Sequence, residues 1–509
     1  MTDYPIPNAG GRVPPLPPAP RRARTLALAL VLPLCLLGGS AAQAASTTFI
    51  NPVGPAQQSS ADPFVMRHTD GFYYFVSTAP GWDKLELRKA SSLAGIGAGA
   101  AVTVFAPAAG TTCNGSNCSN KEVWAPEINH IDGAWYIYFA AAGNDGQHRV
   151  FAIRNASADP TTGSWGAPVK VADSDDAWAI DQTVARINGQ LYMAWSDISG
   201  GGPQRIKIAK MSGPTTIVGR GAFISAPTLG WETSGAPVNE APQFLVRNNK
   251  VHMSFSASGC WTDDYKVGLL TANLGADLTN PASWTKLATP ILQKTAGAYG
   301  PGHNGFAKSP DGTEDWIVYH ANPASGQGCA DSRTTRIQKI TWNGDVPVIG
   351  APVAAGTAVT RPAGEGTGTI WYRVRNQASG KVMSIDRAAA ANGAAIWQFT
   401  NFNNSDQLWS LDPVGGGYFK LATAFNGNVA DVYNFSLAPG VYVKSYPYIA
   451  TTNQQWMLVP TETQHYKVRN RNSGLMLDNK DGSLQDGGVI QQWTDNNLAP
   501  QRWLFERAN

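Results

Sequence analysis

The sequence predicts an all-β chain of two domains, a five-bladed β-propeller followed by a β-trefoil. Three observations carry this. Five units of turn plus aromatic strand recur between 45 and 360 at intervals of roughly sixty residues. Three Gln-x-Trp triplets then set Trp409, Trp456 and Trp503 47 positions apart. Neither stretch contains the periodicity of a long amphipathic helix.

The first 44 residues read as an export signal. Arg21, Arg22 and Arg24 precede an apolar run from Leu26 to Leu37, and Ala42-Gln43-Ala44 is a small-x-small cleavage site. The run is too short to span a membrane, and the paired arginines are compatible with the twin-arginine route. The mature chain is therefore expected to be secreted, with no membrane partner. Cys35 leaves with the leader, so Cys113, Cys118, Cys260 and Cys329 remain. An even count in an exported chain favours two disulfides over a zinc site, and of three pairings Cys113–Cys118 with Cys260–Cys329 is favoured.

Each propeller unit opens on a tight-turn dipeptide and continues as an alternating strand. The five are Asp70-Gly71 before Tyr73-Tyr74-Phe75, Asp132-Gly133 before Trp135 to Phe139, Asn188-Gly189 before Leu191 to Trp195, Asn248-Asn249 before Val251 to Phe255, and Asp311-Gly312 before Trp316 to Tyr319. A Gly-rich linker is expected over 361–369. Residues 370–509 then hold the three Gln-x-Trp copies, each too poor in apolar residues to stand alone.

Composition narrows the ligand. Charged residues are 15% of the 509, while Gly (53), Trp (17), Tyr (16) and Phe (17) are plentiful, which suits neutral polar ligands such as sugars. The net charge of +3 carries no basic run, so a nucleic-acid partner is not expected.

Upstream of each hairpin stands one ionisable residue: Asp62, Glu127, Asp181, Glu240 and His303. Innermost strands line a propeller's channel, so these five should converge near its axis. Clustered carboxylates are costly unless used or paired. Two of them suit glycoside hydrolysis, one protonating the leaving oxygen and one activating water, and a third can raise the pKa of the acid.

The segments Ser60-Ala61-Asp62-Pro63-Phe64, Val123-Trp124-Ala125-Pro126-Glu127, Ala179-Ile180-Asp181, Asn239-Glu240-Ala241-Pro242 and Gly300-Pro301-Gly302-His303-Asn304 resemble the successive motifs of glycoside hydrolase family 43. The resemblance implies that Asp62 is the general base, Glu240 the general acid and Asp181 the residue that tunes and orients the acid. It implies inversion, with the two working carboxylates ~6.5–9.5 Å apart. It further implies sugar contacts from Trp124, Glu127, His303 and Arg333, with Arg336 as the alternative arginine. No cofactor is required by it, although His303 would hold a structural calcium ion through water. Trp82, Asp83 and Glu86 are expected at the pocket border. Two departures from the family pattern are Gln182-Thr183 where Pro-Ser is common, and Ala241 where Gly is common.

The first-blade segments are most similar to exo-acting arabinofuranosidases, which makes an arabinose-containing polysaccharide or oligosaccharide the expected substrate and a monomer the expected state. β-Xylosidase, galactofuranosidase and exo-galactanase are the alternatives within the enzyme class, and a non-catalytic sugar-binding propeller the alternative outside it. Loss of one of the three carboxylates would mark that last case, and all three are present. Residues 370–509 resemble a ricin-type β-trefoil lectin. That resemblance implies sugar sites at Asp386 with Trp397, Asp431 with Tyr442, and Asp478 with Trp493.

Overall fold

A computed structural model describes residues 47–108, 113–387 and 391–508. The leader predicted at 1–44 lies outside the described residues. Among these residues the first domain is a five-bladed propeller in which each blade is an antiparallel sheet running outward in chain order. The innermost strands are Ala61–Arg67, Lys121–Ile131, Ala179–Ile187, Asn239–Arg247 and Tyr299–Lys308, and each touches the next around a closed ring. The turn dipeptides behave as their chemistry demands. Asp132-Gly133 and Asn188-Gly189 hold positive φ at both positions, the geometry that lets a two-residue turn follow the twist of its strands.

No blade borrows a strand from the other end of the domain, so the ring is closed by other means. Thr48–Ile50 pairs with Ala358–Thr360. Asn51, fully buried, donates to the Ile337 carbonyl (2.9 Å) and accepts from its N–H (3.0 Å), so one side chain serves as a length of strand. Ser60 adds a similar clasp, its hydroxyl accepting from the Thr335 N–H (2.9 Å) while the Thr335 hydroxyl donates to its carbonyl (2.8 Å). Both disulfides form as favoured, Cys113–Cys118 and Cys260–Cys329.

The second domain is a trefoil of twelve strands from Tyr372–Asn376 to Arg502–Arg507. Its repeated triplet has a mechanical explanation. Each Trp is fully buried, and its indole N–H donates to a carbonyl 26 residues upstream: Trp409 to Met383, Trp456 to Ala430, Trp503 to Leu477. Each Gln clamps the loop before it through both ends of its amide, Gln407 on Phe402 and Thr400, Gln454 on Ile449 and Pro447, Gln501 on Asn496 and Thr494. One triplet therefore plugs the core and fixes a loop in each repeat.

The Gly-rich linker segment is tied down by hydrogen bonds at both ends of its turn. Arg361 donates to the carbonyls of Gly366 and Gly368, and Glu365 accepts from the Ala94 N–H of the first blade (2.8 Å). Apolar packing is continuous across the junction, with Phe49, Trp316 and Ile337 of the propeller in one cluster with Tyr372, Tyr466 and Phe505 of the trefoil. The Tyr466 hydroxyl donates to the Asn51 carbonyl (3.1 Å).

Replacing Asn51 by Ala strands a buried N–H and a buried carbonyl at the closure. We predict a loss of about 1–3 kcal/mol, read as a lower denaturant midpoint at unchanged slope; an unchanged midpoint would show that the closure does not depend on this side chain.

Candidate active site

Every innermost strand is broken by a β-bulge at the same level. At each bulge one non-glycine residue has positive φ: Asp62 (52°), Ala125 (48°), Asp181 (55°), Ala241 (50°) and His303 (41°). Such a conformation costs roughly 1–2 kcal/mol per residue, and bulges serve to re-aim side chains. Five repeats of the same strain put Asp62, Asp181 and His303 at strictly matching positions. Glu240 stands one residue before its bulge and Glu127 two residues after. The five ionisable residues read as one in-phase set therefore occupy three levels, not one. The positive φ at Ala241 also explains why glycine is common there in the family pattern, since a left-handed backbone is where glycine is at ease.

A cavity of about 240 Å³ opens over this level, lined by Asp62, Asp181, Glu240 and His303 together with Thr78, Trp82, Trp124, Ile180, Tyr265, Arg333 and the Cys260–Cys329 disulfide. Asp62 is the most heavily partnered. Its Oδ2 accepts from the Thr78 hydroxyl (2.7 Å), and its Oδ1 lies 3.2 Å from Arg333 Nη1 and 3.3 Å from His303 Nδ1. His320 Nδ1 lies 3.0 Å from the Asp62 backbone nitrogen and 3.3 Å from Asp62 Oδ1. Burial opposes the charge on Asp62, but Arg333 first and then the two histidines outweigh it and hold the carboxyl well below its usual range.

Glu240 is set the other way. Its Oε1 accepts from the Tyr265 hydroxyl (2.7 Å) and its Oε2 from the Gln204 amide (2.7 Å). Burial pushes its pKa up to about 7; those two hydrogen bonds pull against the rise, and the Asp62 charge adds to it. Asp181 is raised well above the carboxylate range by burial, then by repulsion from Glu240 and Asp62. It also accepts a hydrogen bond from the Ala241 N–H, which ties it to the segment carrying Glu240. His303 is pushed down to about 4 by burial and is neutral at working pH. The site thus holds one carboxylate kept ionised and two carboxyls driven toward their protonated forms, facing a shared cavity.

Thr78, Gln204, Tyr265 and His320 were not found from the sequence. Thr78 and His320 sit on the second strands of their blades, and Gln204 and Tyr265 just ahead of third strands, where no in-phase pattern marks them. Trp124 and Trp82 do line the cavity, edge to face at 5.7 Å, and Trp124 stacks on His148 at 4.2 Å. Two expected sugar contacts lie elsewhere. Glu127 is 3% exposed and bonded to Gln243 and Thr183, with its carboxyl raised by burial, so it braces the strands below the cavity instead of lining it. Arg336 is fully buried and donates to the carbonyls of Gly297 and Val353 (2.7 Å each), leaving Arg333 as the arginine of the cavity. Asp83 and Glu86 are not among the lining residues, and Glu86 pairs with Lys84 at 2.8 Å. The Gln182-Thr183 departure also has a role. Gln182 donates to the Ala125 carbonyl (2.9 Å) and Thr183 bonds Gln243, linking three blades.

In the trefoil the expected triads need realignment. Counting from each Trp–carbonyl bond, the residues equivalent to Asp431 and Asp478 include Ser384, not Asp386. Trp397 faces Ser384 across the hairpin, whereas Lys444 and Gln491 face the two aspartates. A cavity of about 230 Å³ lies on the first repeat, lined by Asp386, Trp397, Phe399, Phe402 and Asp406. Asp431 is buried and accepts from Asn453 and Gln454, and Asp478 accepts from Gln491. Tyr442 stands in the second repeat, where its carbonyl accepts from the Tyr433 N–H (3.3 Å), and also reaches the third: it bridges to Gln491, and Lys480 donates to its hydroxyl. Trp493, 40% exposed, lies against Gly440 of the same crossing loop.

Residues 49–347 match the family described as Glycosyl hydrolases family 43, and residues 360–446 and 452–509 match the ricin-type beta-trefoil lectin domain-like family. A protein of Streptomyces avermitilis named extracellular exo-alpha-(1->5)-L-arabinofuranosidase is 39% identical over 328 residues, 62% of this chain and 66% of the relative. Alpha-L-arabinofuranosidase 43 of Humicola insolens is 38% identical over 335 residues, 63% of this chain and 68% of its own length. The chain thus spans about two thirds of each of these relatives. The crystal structure of an alpha-L-arabinofuranosidase from Lactobacillus brevis superposes with a TM-score of 0.55 at 33% identity, covering 60% of this chain and 98% of that one.

A reaction using Asp62 as base and Glu240 as proton donor should show kcat/KM flat from about pH 4 to about pH 7 and falling above it, as Glu240 loses its proton. The acid limb, set by His303 and Asp62, should lie at or below about pH 4. A pH–rate profile with its alkaline limb near the ordinary glutamate value would contradict the assignment.

Proposed function

The chain belongs to glycosyl hydrolases family 43, and from that premise we propose that it is a secreted, inverting hydrolase that releases terminal α-L-arabinofuranosyl residues from arabinose-containing polysaccharides. The observation that supports this most is the contrast between Asp62 and Glu240. One carboxyl is held ionised by Arg333 while the other keeps its proton to about neutral pH, in the same cavity. Glycoside hydrolysis by inversion needs that pair, a base for water and an acid for the leaving oxygen.

In this reading Asp62 takes a proton from water as the water attacks the anomeric carbon, and Thr78 and Arg333 keep its oxygens aimed. Glu240 gives its proton to the departing glycosidic oxygen, with Tyr265 and Gln204 fixing its carboxyl plane. Asp181, through the Ala241 N–H, positions the segment that carries the acid. Trp82 and Trp124 offer apolar faces to a sugar ring. The names of the relatives support arabinofuranose as that sugar and an extracellular site of action, and a monomer is proposed.

A structural calcium ion on the propeller axis, held by His303 through water, belongs to the same proposal. Among the described residues no three His, Cys, Asp or Glu side chains cluster as metal ligands. Buried side-chain oxygens without a partner stand on the innermost strands at Glu127, Gln182 and Asn304. Oxygen donors of that kind suit calcium. When bound, the ion would supply fixed positive charge close to the carboxylates.

Hydrolysis of 4-nitrophenyl α-L-arabinofuranoside, β-D-xyloside and β-D-galactofuranoside side by side should favour the arabinoside. Proton NMR should show the β-anomer of arabinose first. Glu240→Gln should lower kcat about 10²–10⁴-fold on arabino-oligosaccharides. The loss should be smaller on the nitrophenyl substrate, whose leaving group needs less protonation. Preference for the xyloside or galactofuranoside would transfer the substrate reading to that sugar, and release of the α-anomer would overturn inversion.

A further inference from the structure

We propose that Trp261 is the platform on which the leaving-group sugar stacks, a binding subsite immediately outside the cavity; this rests on the reading of Glu240 as proton donor. Trp261 is 59% exposed, unusual for so large an apolar side chain, and it directly follows Cys260 in the cavity wall.

Its position is built, not incidental. The Cys260–Cys329 disulfide fixes the residue before it to the loop that ends at Arg333. Three glycines make room for it from three separate segments. A side-chain carbon at Gly259 would fall 2.6 Å from the indole ring, one at Gly235 would fall 3.0 Å from its Nε1, and one at Gly328 would fall 3.1 Å from the Trp261 backbone oxygen. The following turn is closed by the Thr262 N–H on the Gly259 carbonyl (3.0 Å). An indole that merely happened to reach solvent would need none of this.

The location also fits the chemistry. An acid that protonates the leaving oxygen stands on the leaving-group side of the scissile bond. Its neighbours place Trp261 on that side. Its ring lies against Gly235, on the segment leading into Asn239–Glu240, and Tyr265, which holds Glu240, follows four residues later. A pyranose or furanose ring has an apolar face of C–H groups, and stacking it on an aromatic ring takes both faces out of water. The cavity holds the sugar to be released, and the exposed indole receives the one it leaves behind.

The test uses the full chain and compares kcat/KM for α-1,5-linked arabinotriose with that for methyl α-L-arabinofuranoside, which has no leaving-group ring. Trp261→Ala should lower the triose-to-methyl ratio roughly tenfold, the order expected for losing one large apolar contact. Trp261→Phe, which keeps a ring, should retain most of the ratio and guards against a folding defect. An unchanged ratio in Trp261→Ala, or equal losses on both substrates, would overturn the proposal. If the wild type hydrolyses neither arabinoside, the arabinofuranose reading fails. The platform is then judged by the same ratio with xylotriose and methyl β-D-xyloside, or with the matching galactofuranoside pair, whichever the enzyme cleaves.

Discussion

The contact on which the site depends is the ion pair between Arg333 and Asp62, 3.2 Å long and almost out of water. Three carboxyls share this cavity, and among the described residues lining it Arg333 is the permanent cation. Buried charge without a partner is expensive. One carboxyl can therefore be ionised cheaply, and proximity decides that it is Asp62. Asp181 and Glu240, left with neutral partners and with each other, are driven toward their protonated forms. The division into base and acid follows from where one guanidinium is held.

What holds that guanidinium extends beyond the cavity. Arg333 ends a loop tied to blade four by the Cys260–Cys329 bridge and to blade five by the Ser332 hydroxyl on Asn322 (2.8 Å). The trefoil reaches the same loop, where the Gln327 amide donates to the Glu462 carbonyl (2.6 Å). With the shared core around Tyr372, Tyr466 and Phe505, this packs the second domain directly against the first.

Much of this was legible in the sequence, for reasons that can be stated. Turn dipeptides and alternating aromatics encode hairpins locally, and their long period gives the ring. The triplet spacing gives the trefoil, because a buried Trp and a loop-clamping Gln are needed once per repeat. Asp62, Asp181 and Glu240 stood out because they recur in phase. The same reasoning overreached at Glu127, which shares the phase but sits two residues past its bulge and packs under the cavity. Between Arg333 and Arg336, three residues apart near one strand, alternation puts the two on opposite faces, and the register that decides which face looks inward comes only from pairing. His320, Thr78, Tyr265 and Gln204 were invisible because their roles arise from contacts between blades and strands far apart in the chain. In the trefoil, residue type pairs Asp386 with Asp431, whereas counting back 25 residues from each Trp identifies Ser384.

The central claim is a statement about protons, so the most direct test observes them. Infrared difference spectra of wild type against Glu240→Gln, collected through a pH titration, isolate the carboxyl band of Glu240. The account predicts a protonated-acid band that persists to about pH 7 and then disappears, while the matching Asp62→Asn difference shows only carboxylate throughout. A Glu240 already ionised in mildly acidic solution, or an Asp62 that carries the proton in its place, would contradict it.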